Sequence, residues 1–466
     1  MIFSSFEFLT FLITVIVLVA VLPNSKYRKL LLLAASYYFY ANWDYRFTAL
    51  IFISTVVDYV AGRLLQHGKN QTYRSSILLV SICFNLGLLG VFKYYNFFID
   101  SAAVLLSSWG LGVSNLDIIL PVGISFYTFQ TMSYSIDVYR GNLDPVDDFF
   151  DFALFVAFFP QLVAGPIVRA ADFLPQLKKP VGVNGANIWA GSQIFIIGLF
   201  KKLMIADAVA PFIDGVYGYP SYFSSTTVWL AVLAYALQIY CDFSGYSDMA
   251  IGCARMFGFH FERNFYMPYL SKDITEFWRR WHISLSSWLR DYVYISLGGN
   301  RKGTIRTYAN LMITMILGGL WHGASWNFVI WGALHGFALA FHKFWRSKTK
   351  GTTVIGLALL SWLITFSFVT LAWVLFRAQD WSTMMTVYGK LFFVNPMGAT
   401  WYYHAAFTAI GWTIIGHIAG SLRTADELVF FKTPYSYQAA FATITVLLII
   451  YVFAPTHVSP FIYFQF

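Results

Sequence analysis

Apolar runs follow one another from Phe8 to Phe453, and too little charge lies between them to cover a body in water. Only 11% of the 466 residues are charged and 58% are hydrophobic, where a soluble domain carries about 25% charged residues. Disorder, a collagen repeat and a disulfide scaffold are excluded by the same numbers. In hydrocarbon the backbone must satisfy its own hydrogen bonds, which favours helices. The fold class expected is an all-α polytopic membrane protein, with the aromatic residues, 20% of the chain, suited to the two interfaces.

A helical span needs about 20 mostly apolar residues. Candidates lie at 6–22, 29–42, 46–61, 76–92, 118–136, 150–168, 187–204, 226–241, 307–321, 325–343, 354–376, 401–420 and 437–453. Several are short, and Leu30–Trp43 crosses only if tilted or continued. About ten to twelve true spans are expected, with re-entrant or interfacial pieces, in a single domain over 1–466. No internal repeat is visible, which weighs against a transporter built from inverted halves.

Charge orients the chain. Met1–Glu7 has no basic residue, whereas Lys26, Arg28 and Lys29 follow the run Phe8–Leu22. That order reverses a signal peptide and predicts a retained first span, with the N-terminus outside and Lys26–Lys29 in the cytoplasm. Arg255–Arg306 holds nine Lys and Arg against four Asp and Glu. This stretch, and the block Lys343, Arg346, Lys348 and Lys350, are expected on the cytoplasmic side. The loop from Arg140 to Asp151, with Asp144, Asp147, Asp148 and Asp151, is expected outside. Basic cytoplasmic loops account for the net charge of +9 without nucleic acid. Cys83, Cys241 and Cys253 are expected as buried free thiols, and no metal site is expected.

Chemistry concentrates in two stretches. In Ile274–Leu297, Trp278, Trp281, Leu285, Trp288 and Tyr292 recur at three- and four-residue steps, the pattern of one interfacial amphipathic helix. His282 sits on its apolar side, where an ionisable group is costly. In Leu317–Asn327, His322 lies within an almost continuous apolar region beside Gly318, Gly319 and Gly323. Burial keeps imidazole neutral, the form a general base needs; the alternative is a satisfied core histidine. Asp242 ends an apolar run that starts at Val228, and there it is read as a cap for the next helix or as a site residue. The ending F-I-Y-F-Q-F is an aromatic anchor, or else Tyr463 is a nucleophile that needs a base. His322 with His335, and His404 with His417, are each 13 residues apart, the spacing of a di-haem membrane cytochrome.

L-P-V-G-I-S-F-Y-T-F-Q (120–130), D-F-S-G-Y-S-D-M-A-I-G (242–252), I-T-E-F-W-R-R-W-H-I-S-L-S-S-W-L-R-D-Y (274–292), L-G-G-L-W-H-G-A (317–324) and the terminal F-I-Y-F-Q-F resemble the membrane-bound O-acyltransferases. The nearest branch holds the bacterial alginate O-acetyltransferase membrane subunit and related cell-envelope polysaccharide O-acetyltransferases. The resemblance implies a ring of transmembrane helices around a central tunnel. It also implies acetyl transfer from cytoplasmic acetyl-CoA, a substrate rather than a bound cofactor, toward an extracytoplasmic polysaccharide (alginate-like, cellulose or peptidoglycan). An extracytoplasmic acetyltransferase partner of the SGNH type would receive the group, in the cytoplasmic (inner) membrane. His322 matches the family's catalytic histidine and His282 a second motif histidine on the donor side. Tyr463 matches a tyrosine that takes the acyl group. Trp321, Trp278, Asn327 and Asp242 are the candidate substrate-binding residues. Arg279, Arg280, Arg290, Arg301 and Lys302 form the candidate CoA-facing surface. D-alanyl transfer to teichoic acid is the alternative within the family; a transporter of polysaccharide or lipid-linked sugar is the alternative outside it, beside the di-haem protein.

Overall fold

A computed structural model describes all residues except 69, 110–113, 164, 350–356, 423–428, 430–436, 456–458 and 466. Lys350, the first residues of the 354–376 candidate and Phe466 lie outside the described residues. The chain is all-α; an isolated bridge between Phe223 and Ala399 is the one β pairing among the described residues. Among the described residues, four helical stretches are long and apolar enough to cross a membrane: Ser25–His67, Gln71–Ala103, Ser225–Met256 and Ala358–Arg377. Phe6–Val21 and Phe441–Phe453 are shorter apolar helices. The run at 30–43 is indeed continued, since its helix spans Ser25–Asp44. The 150–168 candidate is not one span. It breaks into Phe149–Ala157 and Phe159–Leu162, where Phe158 is extended in ψ and Pro160 follows.

The chain packs as two compact units. One comprises Met1–Ser192 with Ala250–Glu262, the other Gln193–Met249 with Arg263–Phe466.

In the first unit, helices Thr48–His67, Gln71–Leu89 and Ile124–Arg140 pack together around a polar cluster with no exposure. Asp58 accepts hydrogen bonds from Ser81 Oγ (2.5 Å), Ser135 Oγ (2.7 Å) and Asn85 Nδ2 (2.7 Å). Asn85 Oδ1 in turn accepts from Ser54 and Thr131. The unit also corrects the expected topology. Lys29 pairs with Asp151 at 2.6 Å, and Arg63 pairs with Asp147. The acidic loop therefore lies on the same side as Lys26–Lys29, as the counter-charge to basic helix ends. Acidic residues steer orientation weakly, so the expectation of opposite sides had little support. Cys83 is exposed on its helix, against expectation, while Cys241 and Cys253 are buried. A helix surrounded by lipid can keep a thiol on its outer face.

In the second unit, Thr304–His322 and Trp326–Lys348 form the most intimate helix pair. A Cβ at Gly319 would press into the Phe328 carbonyl and stand 3.1 Å from Gly332 Cα, so only glycine allows this approach. The turn Gly323–Ser325 joins them, and Ser325 caps the second by accepting from Asn327 N–H. His322 thus ends the first helix at the mouth of this turn. Ser225–Met256 continues through position 242, so Asp242 caps nothing.

Candidate active site

The tryptophan stripe at 274–297 does not lie on one helix. Ile274–Arg280 ends at Trp281, His282 takes a left-handed conformation (φ 42°), and Ile283–Trp288 begins anew before a π-helical turn at Leu289–Tyr294. Asn264 stabilises the break. Its carbonyl accepts from Ile283 N–H (2.9 Å), and its Oδ1 accepts from Ser284 N–H (3.1 Å) and Ser284 Oγ–H (2.9 Å) and meets His282 Nδ1 (3.2 Å). Asn264 thereby supplies from another segment the acceptors a helix start requires. It is fully buried, and nothing in R-N-F-Y announces it. The break keeps Trp278, Trp281, Leu285, Trp288 and Tyr292 buried and turns His282 inward. His282 Nε2 has no hydrogen-bond partner among the described residues.

His322 and His282 flank Trp321, at ring distances of 5.2 and 5.8 Å. His322 Nδ1 lies 2.9 Å from the Tyr463 hydroxyl. Trp331, Phe376 and Tyr463 enclose the His322 ring at 5.1, 5.2 and 5.5 Å. Phe243 bridges Tyr463 and His282, 4.6 Å from each. The terminal residues are therefore not an interfacial anchor: Phe461 and Ile462 are buried, and Tyr463 is half-buried against the histidine. The three expected catalytic side chains come together around one tryptophan. Phe243, Trp331 and Phe376 complete the enclosure unforeseen, since one aromatic looks like another in a chain with 47 Phe.

The expected substrate-binding residues divide. Trp321 is in the cluster. Trp278 donates Nε1–H to His335 Nδ1 (3.3 Å) and touches Trp331 at 5.8 Å, one ring from His322. Asn327 donates to the Ala378 carbonyl (3.0 Å), tying its helix to the end of Ala358–Arg377. Asp242 holds Lys202 Nζ (2.6 Å) and accepts from Ile462 N–H (2.8 Å).

Trp278 also forms part of a cleft of about 450 Å³ whose lining includes Leu289, Arg290, His342, Lys343 and Arg346. Of the five expected donor-face cations, Arg290 lines this cleft. Its Asp291 partner, 2.6 Å away, holds the guanidinium above its ordinary pKa. Arg280 is bound to Glu276 (2.7 Å) and lies over the Tyr266 ring, whereas Arg279, Arg301 and Lys302 are exposed. Lys343 and Arg346, read from the sequence only as topology markers, supply the other cations. The four histidines of the di-haem reading do not form facing pairs. His322 is on Tyr463, His335 on Trp278, His417 on its own Thr413 carbonyl (2.9 Å), and His404 is exposed.

The family model for membrane-bound O-acyltransferases matches residues 145–379. The chain is 45% identical to a probable alginate O-acetylase of Azotobacter vinelandii, over 84% of this chain and 78% of that protein. It is 40% identical to a peptidoglycan O-acetyltransferase of Helicobacter pylori, over 80% and 75%. A teichoic acid D-alanyltransferase of Bacillus subtilis is 26% identical over 55% of this chain and 69% of its own length.

Proposed function

The chain belongs to the membrane-bound O-acyltransferase family, and on that footing we propose that it takes acetyl from cytoplasmic acetyl-CoA and passes it outward, by way of Tyr463, for O-acetylation of an envelope polysaccharide. The observation that carries this reading is the 2.9 Å contact between His322 Nδ1 and the Tyr463 hydroxyl, inside an enclosure of aromatic rings.

A phenol with an ordinary pKa of about 10 is a poor nucleophile at neutral pH without a base. In the proposed step, His322 Nδ1 takes the Tyr463 proton as the phenol oxygen attacks the thioester carbonyl. The C–S bond breaks, the CoA thiolate leaves with that proton, and an aryl acetate remains on Tyr463. An acceptor hydroxyl then attacks this ester, and the tyrosine regains a proton. A positioned base contributes about 10²–10⁴-fold to such a step. The aromatic walls exclude water, which favours transfer over hydrolysis. His282 faces the same tryptophan and carries an unpartnered Nε2, and its role in this reading is to bind the donor's acyl end. The cleft lined by Arg290, Lys343 and Arg346 suits the CoA phosphates, and two rings in succession, Trp278 on the cleft wall and then Trp331, lead from it to His322.

The membrane is the cytoplasmic one, with Lys26–Lys29 inside and the N-terminus outside. The acceptor on the far side is an SGNH-type acetyltransferase that hands the group to an alginate-like polymer, cellulose or peptidoglycan. The names carried by the similar proteins, alginate and peptidoglycan O-acetylating enzymes, support a polymer of this class.

The test is to incubate the purified protein with radiolabelled acetyl-CoA and locate the label. Label on the wild type that both His322→Ala and Tyr463→Phe abolish is the expected result. CoA release without protein label, lost in His322→Ala, would replace the tyrosyl ester by direct transfer. Neither label nor CoA release from protein that is folded and supplied with its partner would refute the reading.

A further inference from the structure

We infer that Lys202, Asp207 and Asp242 are positioning residues that hold the terminal segment in register so that Tyr463, and no neighbour, meets His322; this rests on the reading of Tyr463 as acetyl acceptor.

The cradle begins with a backbone contact. At Gly198 a Cβ would meet Met249 N at 2.8 Å, and at Gly245 it would meet the Gly198 carbonyl at 2.7 Å, so the two stretches touch without side chains between them. Directly after Gly198 the helix widens into a π-turn at Lys201–Asp207. Such turns alter the side-chain direction within a helix and recur at functional sites. Here the widened turn lets consecutive lysines find different carboxylates on Ser225–Met256: Lys201 pairs with Asp248 and Lys202 with Asp242, both at 2.6 Å.

Lys202 is almost fully buried among three oxygens. It forms ion pairs with Asp242 Oδ1 (2.6 Å) and Asp207 Oδ1 (2.8 Å) and donates to the Ser459 carbonyl (2.8 Å). The second oxygen of Asp242 accepts from Ile462 N–H at 2.8 Å. The segment is thus gripped at two backbone points, Ser459 and Ile462, the second adjacent to Tyr463. Packing alone would not define that register. Phe461 rests on Tyr246 (4.6 Å) and Phe243 (5.6 Å), and an aromatic surface offers several comparable seats to a sequence as repetitive as F-I-Y-F-Q-F. A slip of one residue would present Ile462 or Phe464 to His322, neither of which has a hydroxyl. Directional hydrogen bonds from buried charges forbid that slip. They also explain why three ionisable groups occupy an apolar interior, where such groups are retained only for a purpose.

The experiment uses the full chain in detergent with Cys83→Ser, since the other two cysteines are buried. Two readouts are taken on Asp242→Asn, Lys202→Met and Lys202→Arg. One is acetyl label on Tyr463 with the KM for acetyl-CoA. The other is the maleimide reaction rate of a Tyr463→Cys reporter, which needs no activity. Expected for Asp242→Asn and Lys202→Met are a fall in label of about tenfold or more with KM within about twofold, and a reporter that reacts about tenfold faster. Lys202→Arg restores most of both. Lys202→Met removes the donor to the Ser459 carbonyl, and Asp242→Asn replaces by an amide donor one of the two oxygens that serve Lys202 and Ile462, so either variant that elutes as folded protein decides the matter. Unchanged label and reporter rate in that variant would overturn the cradle. No label on wild-type Tyr463, with a reporter that still accelerates in Asp242→Asn, would fail the acceptor reading and leave the cradle standing.

Discussion

Replacing Gly319 by alanine adds one methyl group at the tightest point of the hairpin that carries His322. That Cβ would be driven into the Phe328 carbonyl and would sit 3.1 Å from Gly332 Cα. Ordinary van der Waals contact begins at 3.4 Å, and both obstacles are backbone, which cannot rotate away as a side chain can. The helices must therefore open by roughly 1 Å. Overpacking of this kind costs about 1–3 kcal/mol. His322 is three residues on, at the end of the same helix, so the opening reaches the 2.9 Å contact with Tyr463 directly. A misplacement of about 1 Å can cost about 10²-fold in rate. The expected outcome for Gly319→Ala is a fall in acetyl-CoA turnover of about a hundredfold, measured by thiol release, with a modest drop in detergent melting temperature. Gly411→Ala is the control, because a Cβ there meets nothing within 4 Å. Turnover within about threefold of wild type in folded Gly319→Ala would refute the claim that backbone contact sets the histidine.

Asn264→Ala removes the side-chain acceptor that serves Ser284 N–H and Oγ–H and meets His282 Nδ1, at a cost of about 1–3 kcal/mol; a lower melting temperature and reduced turnover are expected, whereas Glu262→Ala, exposed nearby in the chain, should change neither. Neutralising Arg290, Lys343 and Arg346 together should raise the KM for acetyl-CoA about tenfold and flatten its dependence on salt, with little change in kcat. Single cysteines at Lys26 and Asp147, both exposed, should react with an impermeant maleimide from the same face of oriented vesicles; reaction from opposite faces would contradict the Lys29–Asp151 pair.

What the sequence revealed follows from how locally each signal is written. The membrane class rests on composition, and the helix boundaries mostly follow apolar runs, so both were legible. His322 and His282 stood out because a polar group in an apolar run is conspicuous, whereas Tyr463 was singled out as acyl acceptor by the family resemblance. That they gather around Trp321 was not legible, since 141 residues separate His322 from Tyr463. The break at His282 was hidden because the three- and four-residue spacing continues through it; only Asn264, from a distant segment, reveals why the helix restarts. Asp242 misled for the opposite reason. It ends an apolar run and so looked terminal, yet its partner Lys202 permits the helix to continue. The expectation that the acidic loop and Lys26–Lys29 lie on opposite sides failed because local charge counts do not see the pairs Lys29–Asp151 and Arg63–Asp147.

The cluster around Asp58 bears on how the protein is made. Thr48–His67 emerges from the ribosome with a carboxylate near its middle and no partner on its own helix except Ser54, which reaches it only through Asn85. Ser81 and Asn85 arrive with the next helix, and Ser135 more than fifty residues later. Entry of that first helix into lipid is therefore a conditional event, completed when its successors dock. During synthesis this half of the chain behaves as a single cargo of three helices, and a ribosome stalled between residues 67 and 124 would leave a segment the membrane is reluctant to keep.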